Sequence, residues 1–362
     1  MINIRKGMCI FLVGISVALN GCGKKENDEN RKLDLYNLPK GKSIAKDYLE
    51  RICNNDISGA NELCSEELLK SNKNLEQGVS SITSYQMEKT IEGNDFSYFI
   101  FNVIRSSTLQ PKSDLETYTI KIARDGENYA IDDIKAKSQK ELFVKNNGLR
   151  IIGEDGGKSN LIINLNNFPK DAYQKENKIM LYKDKVPTES FGKVVLGFKG
   201  QRVAITTKDK DSPYIGIAVI DDSLMEIASI EAAPADAGNE GNSEGTQNMQ
   251  GYSETPIISE LISVDLLKNS EIEKMVFSGE DTMFAVNYKN NNGISRTNIY
   301  RSDDGSLVDT DFDKEFPKDK YNIIGKNFEG DKFNFKVTSN NDDKNKNGQY
   351  EINLRTLELK KL

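Results

Sequence analysis

Four cysteines, no histidine and a handful of acidic or glycine-rich clusters are the residues of this 362-residue chain whose types and spacing could do chemistry. The missing histidine removes the side chain most used for acid/base work near neutral pH and the commonest metal ligand. Ser-His-Asp and Cys-His arrangements and His-bearing zinc sites are thereby excluded. Catalysis through Asp, Glu, Lys or Tyr stays open. Asp343, Asn345, Asn347 and Gly348 match the first positions of a calcium-binding loop, whose twelfth position must be a bidentate glutamate. That position is Leu354 here, so the segment reads as a hairpin turn. Gly153-Glu154-Asp155-Gly156-Gly157 has the glycines of a phosphate cradle, which also needs a helix N-terminus directly after it. The strand-like Leu161–Leu165 follows instead, so this too reads as a hairpin loop, and neither cofactor nor metal is expected.

The cysteine with the clearest chemistry is Cys22. Arg5 and Lys6 precede an apolar run from Met8 to Leu19, which ends in Leu19-Asn20-Gly21-Cys22. A positive head, a short apolar core and small residues before a cleavage point make a secretory signal peptide. The run is shorter than the roughly 20 apolar residues of a spanning helix. Leu19, Gly21 and Cys22 resemble the lipobox of bacterial lipoproteins of the Gram-positive type, with Asn20 departing from that family's usual small or aliphatic residue. The resemblance implies cleavage between Gly21 and Cys22, with a diacylglyceryl group on the Cys22 thiol and acylation of the new N-terminus. It places the protein on the extracytoplasmic face of the cell membrane, held by lipid on Cys22.

Losing Arg5 and Lys6 with the signal moves the net charge from −7 to −9. A mildly acidic chain with dispersed lysines has no electrostatic footprint for nucleic acid. Nor would an anionic membrane surface attract it, so the lipid must provide the hold, and two acyl chains give stable anchoring where one is marginal.

Residues 22–41 are polar and charged and read as a flexible tether. Ile44, Ala45, Tyr48, Leu49, Ile52 and Cys53 form one face of a helix over 42–54. Asp56 or Ser58 caps a second helix carrying Ala60, Leu63, Cys64 and Leu68, up to about Lys70. Cys53 ends one helix while Cys64 lies nearly two turns into the next. Their levels do not match the close Cα approach a bridge requires, which favours buried free thiols over a disulfide.

From Ile82 the apolar period switches from 3.6 to 2. Strands are expected over 84–91, 96–105, 117–124 and 129–134, with Gly93-Asn94-Asp95 and Asp125-Gly126-Glu127 as turns. The order helix, helix, antiparallel meander, ending in Asp125-Gly126-Glu127-Asn128-Tyr129-Ala130-Ile131-Asp132-Asp133-Ile134, resembles the α+β cone of the nuclear transport factor or cystatin-like superfamily. That resemblance covers residues 42–137 and implies a fold rather than an activity. In catalytic members a pocket acid works in the cone, which makes Asp132 and Asp133 the possible pocket acids. Read from the residues alone, they end a strand and face solvent. Residues 135–148 read as a basic connector.

The expected second domain, 138–362, is mainly β. Short strands over 161–165 and 178–183 precede three sets of four strands, over 193–230, 274–310 and 321–362. Each set carries Phe-x-Gly: Phe198-Lys199-Gly200, Phe277-Ser278-Gly279 and Phe328-Glu329-Gly330. Four-stranded units recurring near 50 residues resemble β-propeller blades. Closed propellers have about 4 to 8 blades, so three clear units leave either a minimal or an open arrangement. Residues 231–256 are a low-complexity insertion that cannot bury enough apolar surface to order itself. The segment 257–267 returns to the sheet as a strand or helix.

The fold class is thus an α+β module followed by antiparallel β units. The function expected is that of a lipid-anchored, non-enzymatic interaction module whose partner is an unidentified envelope protein or ligand. The alternatives are a solute-binding lipoprotein of a transporter, disfavoured by the missing βαβ pattern, and a cone-pocket enzyme using Asp132 or Asp133.

Overall fold

The computed structural model describes residues 36–71, 80–154, 156–175, 182–208, 212–224, 254–340 and 344–362. The signal peptide, Gly21, Cys22, the tether up to residue 35, the expected strand over 225–230, most of the strand expected over 178–183, the insertion up to residue 253 and Asp343 lie outside the described residues.

Helix α1 (Leu38–Cys53) starts four residues earlier than the apolar pattern alone indicates. The reason is local: the Asn37 side chain accepts a hydrogen bond from the Lys40 amide at 3.0 Å, and proline sits in the first turn. Its stripe Ala45, Tyr48, Leu49 and Ile52 is buried. The second expected helix is instead two short ones, α2 (Ile57–Asn61) and α3 (Glu66–Lys70). Between them the chain crosses to a sheet edge. Cys64 bridges Ile131 in parallel, with Ser65 N–H to Ile131 O and Ile131 N–H to Leu63 O both at 2.8 Å. Asp56 caps α2 through the Gly59 amide and Ser65 caps α3 through the Leu68 amide.

These helices pack on a six-stranded antiparallel meander, β1 (Ser80–Glu92), β2 (Phe96–Ser107), β3 (Ser113–Asp125), β4 (Asn128–Lys145), β5 (Gly148–Gly153) and β6 (Asn160–Asn164). Both faces of β2 are covered. Phe99, Phe101 and Val103 join the helix-side core, whereas Ile104 joins the large core on the far side. The expected connector over 135–148 is the second half of β4, and the expected boundary at residue 137 falls inside that unbroken strand. β3 pairs with β4 from Asn128 to Leu142, and β5 pairs with its end from Lys140 to Lys145. The meander therefore carries the chain across the boundary instead of ending there. From Tyr36 to the C-terminus the chain is one compact unit.

After a short 3₁₀ turn (Leu165–Asn167) and the two-residue ribbon β7 (Asp171–Ala172) and β8 (Asp184–Lys185), three further antiparallel sheets follow. The second sheet holds β9 (Ser190–Leu196), β10 (Arg202–Lys208), β11 (Tyr214–Ile220) and β12 (Ile258–Leu266). Its fourth strand comes from beyond the insertion, since β12 pairs with β11. The third sheet holds β13 (Ser270–Phe277), β14 (Met283–Asn290) and β15 (Ser295–Arg301). The strand expected over 306–310 is a single bridge, Leu307 to Tyr300. There the chain leaves to place Phe312 and Phe316 of the short helix α4 (Phe312–Glu315) and its cap in the next core. The fourth sheet holds β16 (Tyr321–Glu329), β17 (Lys332–Ser339), β18 (Gly348–Asn353) and β19 (Leu359–Lys361).

Each Phe-x-Gly closes the first strand of its sheet, and each phenylalanine is buried. Gly200 and Gly330 take the positive φ that the turn requires (66° and 58°). In the third sheet Asp281 takes it instead (φ 55°), a conformation that aspartate tolerates better than most residues. Its carboxylate then reaches across to the second sheet and accepts the Phe198 and Lys199 amides at 2.8 and 2.9 Å.

Two outcomes follow for stability. Phe335 is fully buried, stacked between Phe333 and Tyr350 and flanked by Phe312 and Phe316. Phe335→Ala should cost about 3–5 kcal/mol, read as a lower denaturant midpoint. Burial pushes the Asp281 carboxyl up to about 6, against the opposing pull of the two amides and of Arg202. An unfolded aspartate titrates near 3.9, so between these values the folded state holds the extra proton. The contribution of Asp281 is therefore largest below about pH 4 and declines as pH rises through 6. Relative to Asp281→Asn, the native protein should lose up to about 3 kcal/mol over that window. A pH-independent difference between the two proteins would refute the assignment.

A candidate binding groove along four bulged strands

Four strands form the inner edges of the four large sheets: β1, β9, β13 and β16. β9 packs on β2 and β3, β13 packs on β9 and β1, and β16 packs on β14 and β15. Each inner strand is interrupted by a β-bulge. Thr83 is the extra residue on β1, between the pairs Ile82–Arg105 and Ser84–Ile104. On β9, Gly192 and Lys193 together oppose the single Thr206. Glu273 is the extra residue on β13, between Ile272–Tyr288 and Lys274–Asn287. On β16 it is Lys326, between Gly325–Phe335 and Asn327–Asn334. A bulge bends its strand and re-aims the side chains beside it.

The re-aimed residues line one groove. A cleft of about 510 Å³ is bounded by Phe191, Lys193 and Lys208 of the second sheet, Glu271 of β13 and the Thr108–Pro111 turn. A second, of about 480 Å³, lies between the end of α1, β1, β13 and β16, with Cys53, Tyr85, Lys274 and Lys326 in its wall. A neck of about 40 Å³ joins them and shares Lys193 with the first and Thr83, Glu273 and Lys274 with the second.

Burial dominates the electrostatics here. It pushes the Lys193 and Lys274 ammonium groups down, and nearby Glu271 and Glu50 only partly restore them. Lys274 Nζ donates to the Lys326 carbonyl at 3.3 Å. The Tyr85 hydroxyl donates to Glu50 Oε2 at 3.4 Å and to the Lys46 carbonyl at 3.3 Å. Burial, reinforced by Glu50, raises it well above the usual phenol range. The thiol of Cys53 is pushed up to about 12, again chiefly by burial. The groove thus offers amines, hydroxyls and carboxylates for binding. Among the described residues, no group of three or more Cys, Asp or Glu is placed to hold a metal ion.

The residues singled out in the sequence lie elsewhere. Asp132 is the extra residue of a bulge on β4, with Oδ2 2.6 Å from Lys121 Nζ, and Asp133 lies 3.6 Å from Lys135. They sit within β4 rather than at its end, half-buried and ion-paired, and neither lines the groove. Cys53 and Cys64 are both free thiols. The groove lysines escaped sequence reasoning, although they leave a trace. Gly192-Lys193, Glu273-Lys274 and Gly325-Lys326 are doublets that break the apolar alternation shortly before each Phe-x-Gly.

No family model matches the sequence, and no curated protein matches it either. Among solved structures, Hsv2 of Kluyveromyces lactis is similar over 79% of this chain and 87% of its own, at 8% identity and a TM-score of 0.27. TolB from Acinetobacter baumannii is similar over 67% of this chain and 57% of its own, at 8% identity and a TM-score of 0.22. Oligopeptidase B from Trypanosoma brucei is similar over 89% of this chain and 51% of its own, at 9% identity and a TM-score of 0.24. Likeness at these scores establishes neither a shared fold nor an activity.

The thiol of Cys53 offers a direct check of groove burial. Because the thiolate is the reactive form, alkylation by iodoacetamide at pH 8 should be at least about tenfold slower in the folded protein than after unfolding. Peptide mass spectrometry reads the rate, and equal rates would place Cys53 outside a desolvated wall.

Proposed function

We propose that this protein is a lipid-anchored binding module on the extracytoplasmic face of the cell membrane, working in the envelope without catalysis. The observation that carries this reading is Leu19-Asn20-Gly21-Cys22, placed directly behind Arg5, Lys6 and the apolar run Met8–Leu19. On this reading Cys22 is the first residue of the mature chain and carries the acyl groups. Residues up to about 41 then form the tether. We read α1–α3 with β1–β4 as a cystatin-like module and the three later sheets as propeller-type units. The inner edges of those units, together with β1, present the groove. The absence of histidine and the ion-paired state of Asp132 and Asp133 support binding over turnover.

The test is expression in a bacterial host fed radiolabelled or alkyne-tagged palmitate. The native chain should incorporate label and partition into detergent, whereas Cys22→Ala should do neither. Label retained by Cys22→Ala would sink the anchor.

A further inference from the structure

We propose that the groove between β1, β9, β13 and β16 is an anion site, built to take a small ligand bearing carboxylate or phosphate groups between Lys193, Lys274 and Lys326. The inference rests on reading the groove as the binding face but is independent of the anchor on Cys22.

Three observations carry it. First, the lysines come from three separate sheets, and in each the amine sits at or next to the bulge of the inner strand. Bulges that re-aim side chains recur beside functional sites. Three placing the same residue type on one groove form a built arrangement. Second, these ammonium groups have no close ion pair. Among the described residues, no carboxylate lies within 4.0 Å of any of the three, and the hydrogen bond of Lys274 Nζ runs to a backbone carbonyl. Elsewhere Lys46, Lys112, Lys121, Lys199 and Lys268 are each paired with an acid. Glu271 and Glu273 act on Lys193, and Glu50 on Lys274, only from beyond that distance, so the positive charge of the groove is offset in part. Third, all three are half-buried, and the neck that Lys193 and Lys274 share also holds the hydroxyl-bearing Thr108. Half-buried ammonium groups without partners cost desolvation that an incoming anion offsets. Burial already pushes Lys193 and Lys274 down, and a bound anion would push both back up.

Glu50, Glu189, Glu271 and Glu273 also line the groove, all beyond ion-pair distance of the three amines, and all but Glu50 are exposed.

Pyridoxal 5′-phosphate is a suitable probe, because it couples an anion to an aldehyde that reports the nearest amine. The lysine nitrogen adds to the aldehyde carbon and water leaves. Borohydride then delivers hydride to the imine carbon, fixing a secondary amine that peptide mass spectrometry locates. With the chain from Cys22 onward carrying Cys22→Ala, label at pH 7 should concentrate on Lys193, Lys274 or Lys326. Pyridoxal without the phosphate should label these sites about tenfold less, as expected for loss of one charge-assisted contact. Lys274→Gln should lower labelling of the remaining two by a similar factor while leaving the exposed lysines unchanged. Protection by inorganic phosphate alone points to a phosphate ligand, and protection by citrate alone to a carboxylate ligand. Label spread over lysines in proportion to their exposure, or equal labelling by pyridoxal and its phosphate, would overturn the site.

Discussion

Edge strands are the constraint on which this architecture depends. Four antiparallel sheets, each begun by a strand with a neighbour on only one side, turn those strands toward a common groove. An unbroken β edge is a template for further pairing, and proteins blunt such edges with bulges, charges and coverings. Here each inner strand carries a bulge, and in three of them a lysine stands at or beside it. The outer side of the first sheet is treated differently. The half of β4 that β5 leaves unpaired is covered by the Leu63–Ser65 crossing, which explains why the second helix is split in two. One requirement, leaving no long free edge, thus accounts for both the broken helix and the polar groove.

Much of the fold was legible because its signals are local. Strand alternation, the Asp-Gly and Asn-Gly turns and the buried phenylalanine before each first hairpin are set by residues adjacent in sequence. Gly126, Gly293 and Gly305 all take the positive φ that the turn pairs implied. The failures are non-local. Nothing in residues 135–148 says that a polar, lysine-rich stretch continues a strand, because its pairing depends on partners distant in sequence, β3 as far as Leu142 and β5 from Lys140 on. The fourth strand of the second sheet, β12, lies on the far side of an insertion, where the sequence left strand and helix both open because the pairing with β11 is not local. The strand expected after Gly305 yields to Phe312 and Phe316, whose burial in the next core draws the chain away.

The candidate site was still less legible, for a physical reason. A bulge is a mismatch of count between two strands, and neither strand alone encodes it. Gly192-Lys193, Glu273-Lys274 and Gly325-Lys326 look like ordinary polar interruptions until their partners on β10, β14 and β17 are known. Asp132 attracted notice for the opposite reason. It stands in a memorable run of residues, yet its ion pair with Lys121 satisfies it within its own sheet. Adjacency in sequence drew the eye to a pair of acids that the fold neutralises. Chemistry gathered from three sheets passed unnoticed.

Lysines on inner strands could serve edge protection alone, and that explanation must be weighed against a ligand. Gatekeeping charges are useful where another chain can approach, which is the outside of a sheet. The inner edges are already shielded, since β9 and β13 pack on one another and β13 packs on β1. A charge placed there deters no partner and carries its desolvation cost without that benefit. The bulges by themselves would interrupt pairing, as Thr83 on β1 does without any charge. What edge protection leaves unexplained is the residue type, repeated on three strands and, among the described residues, matched by no carboxylate within ion-pair distance. On the proposed reading an anion arriving from solution completes the charge balance that Glu50, Glu271 and Glu273 restore only in part.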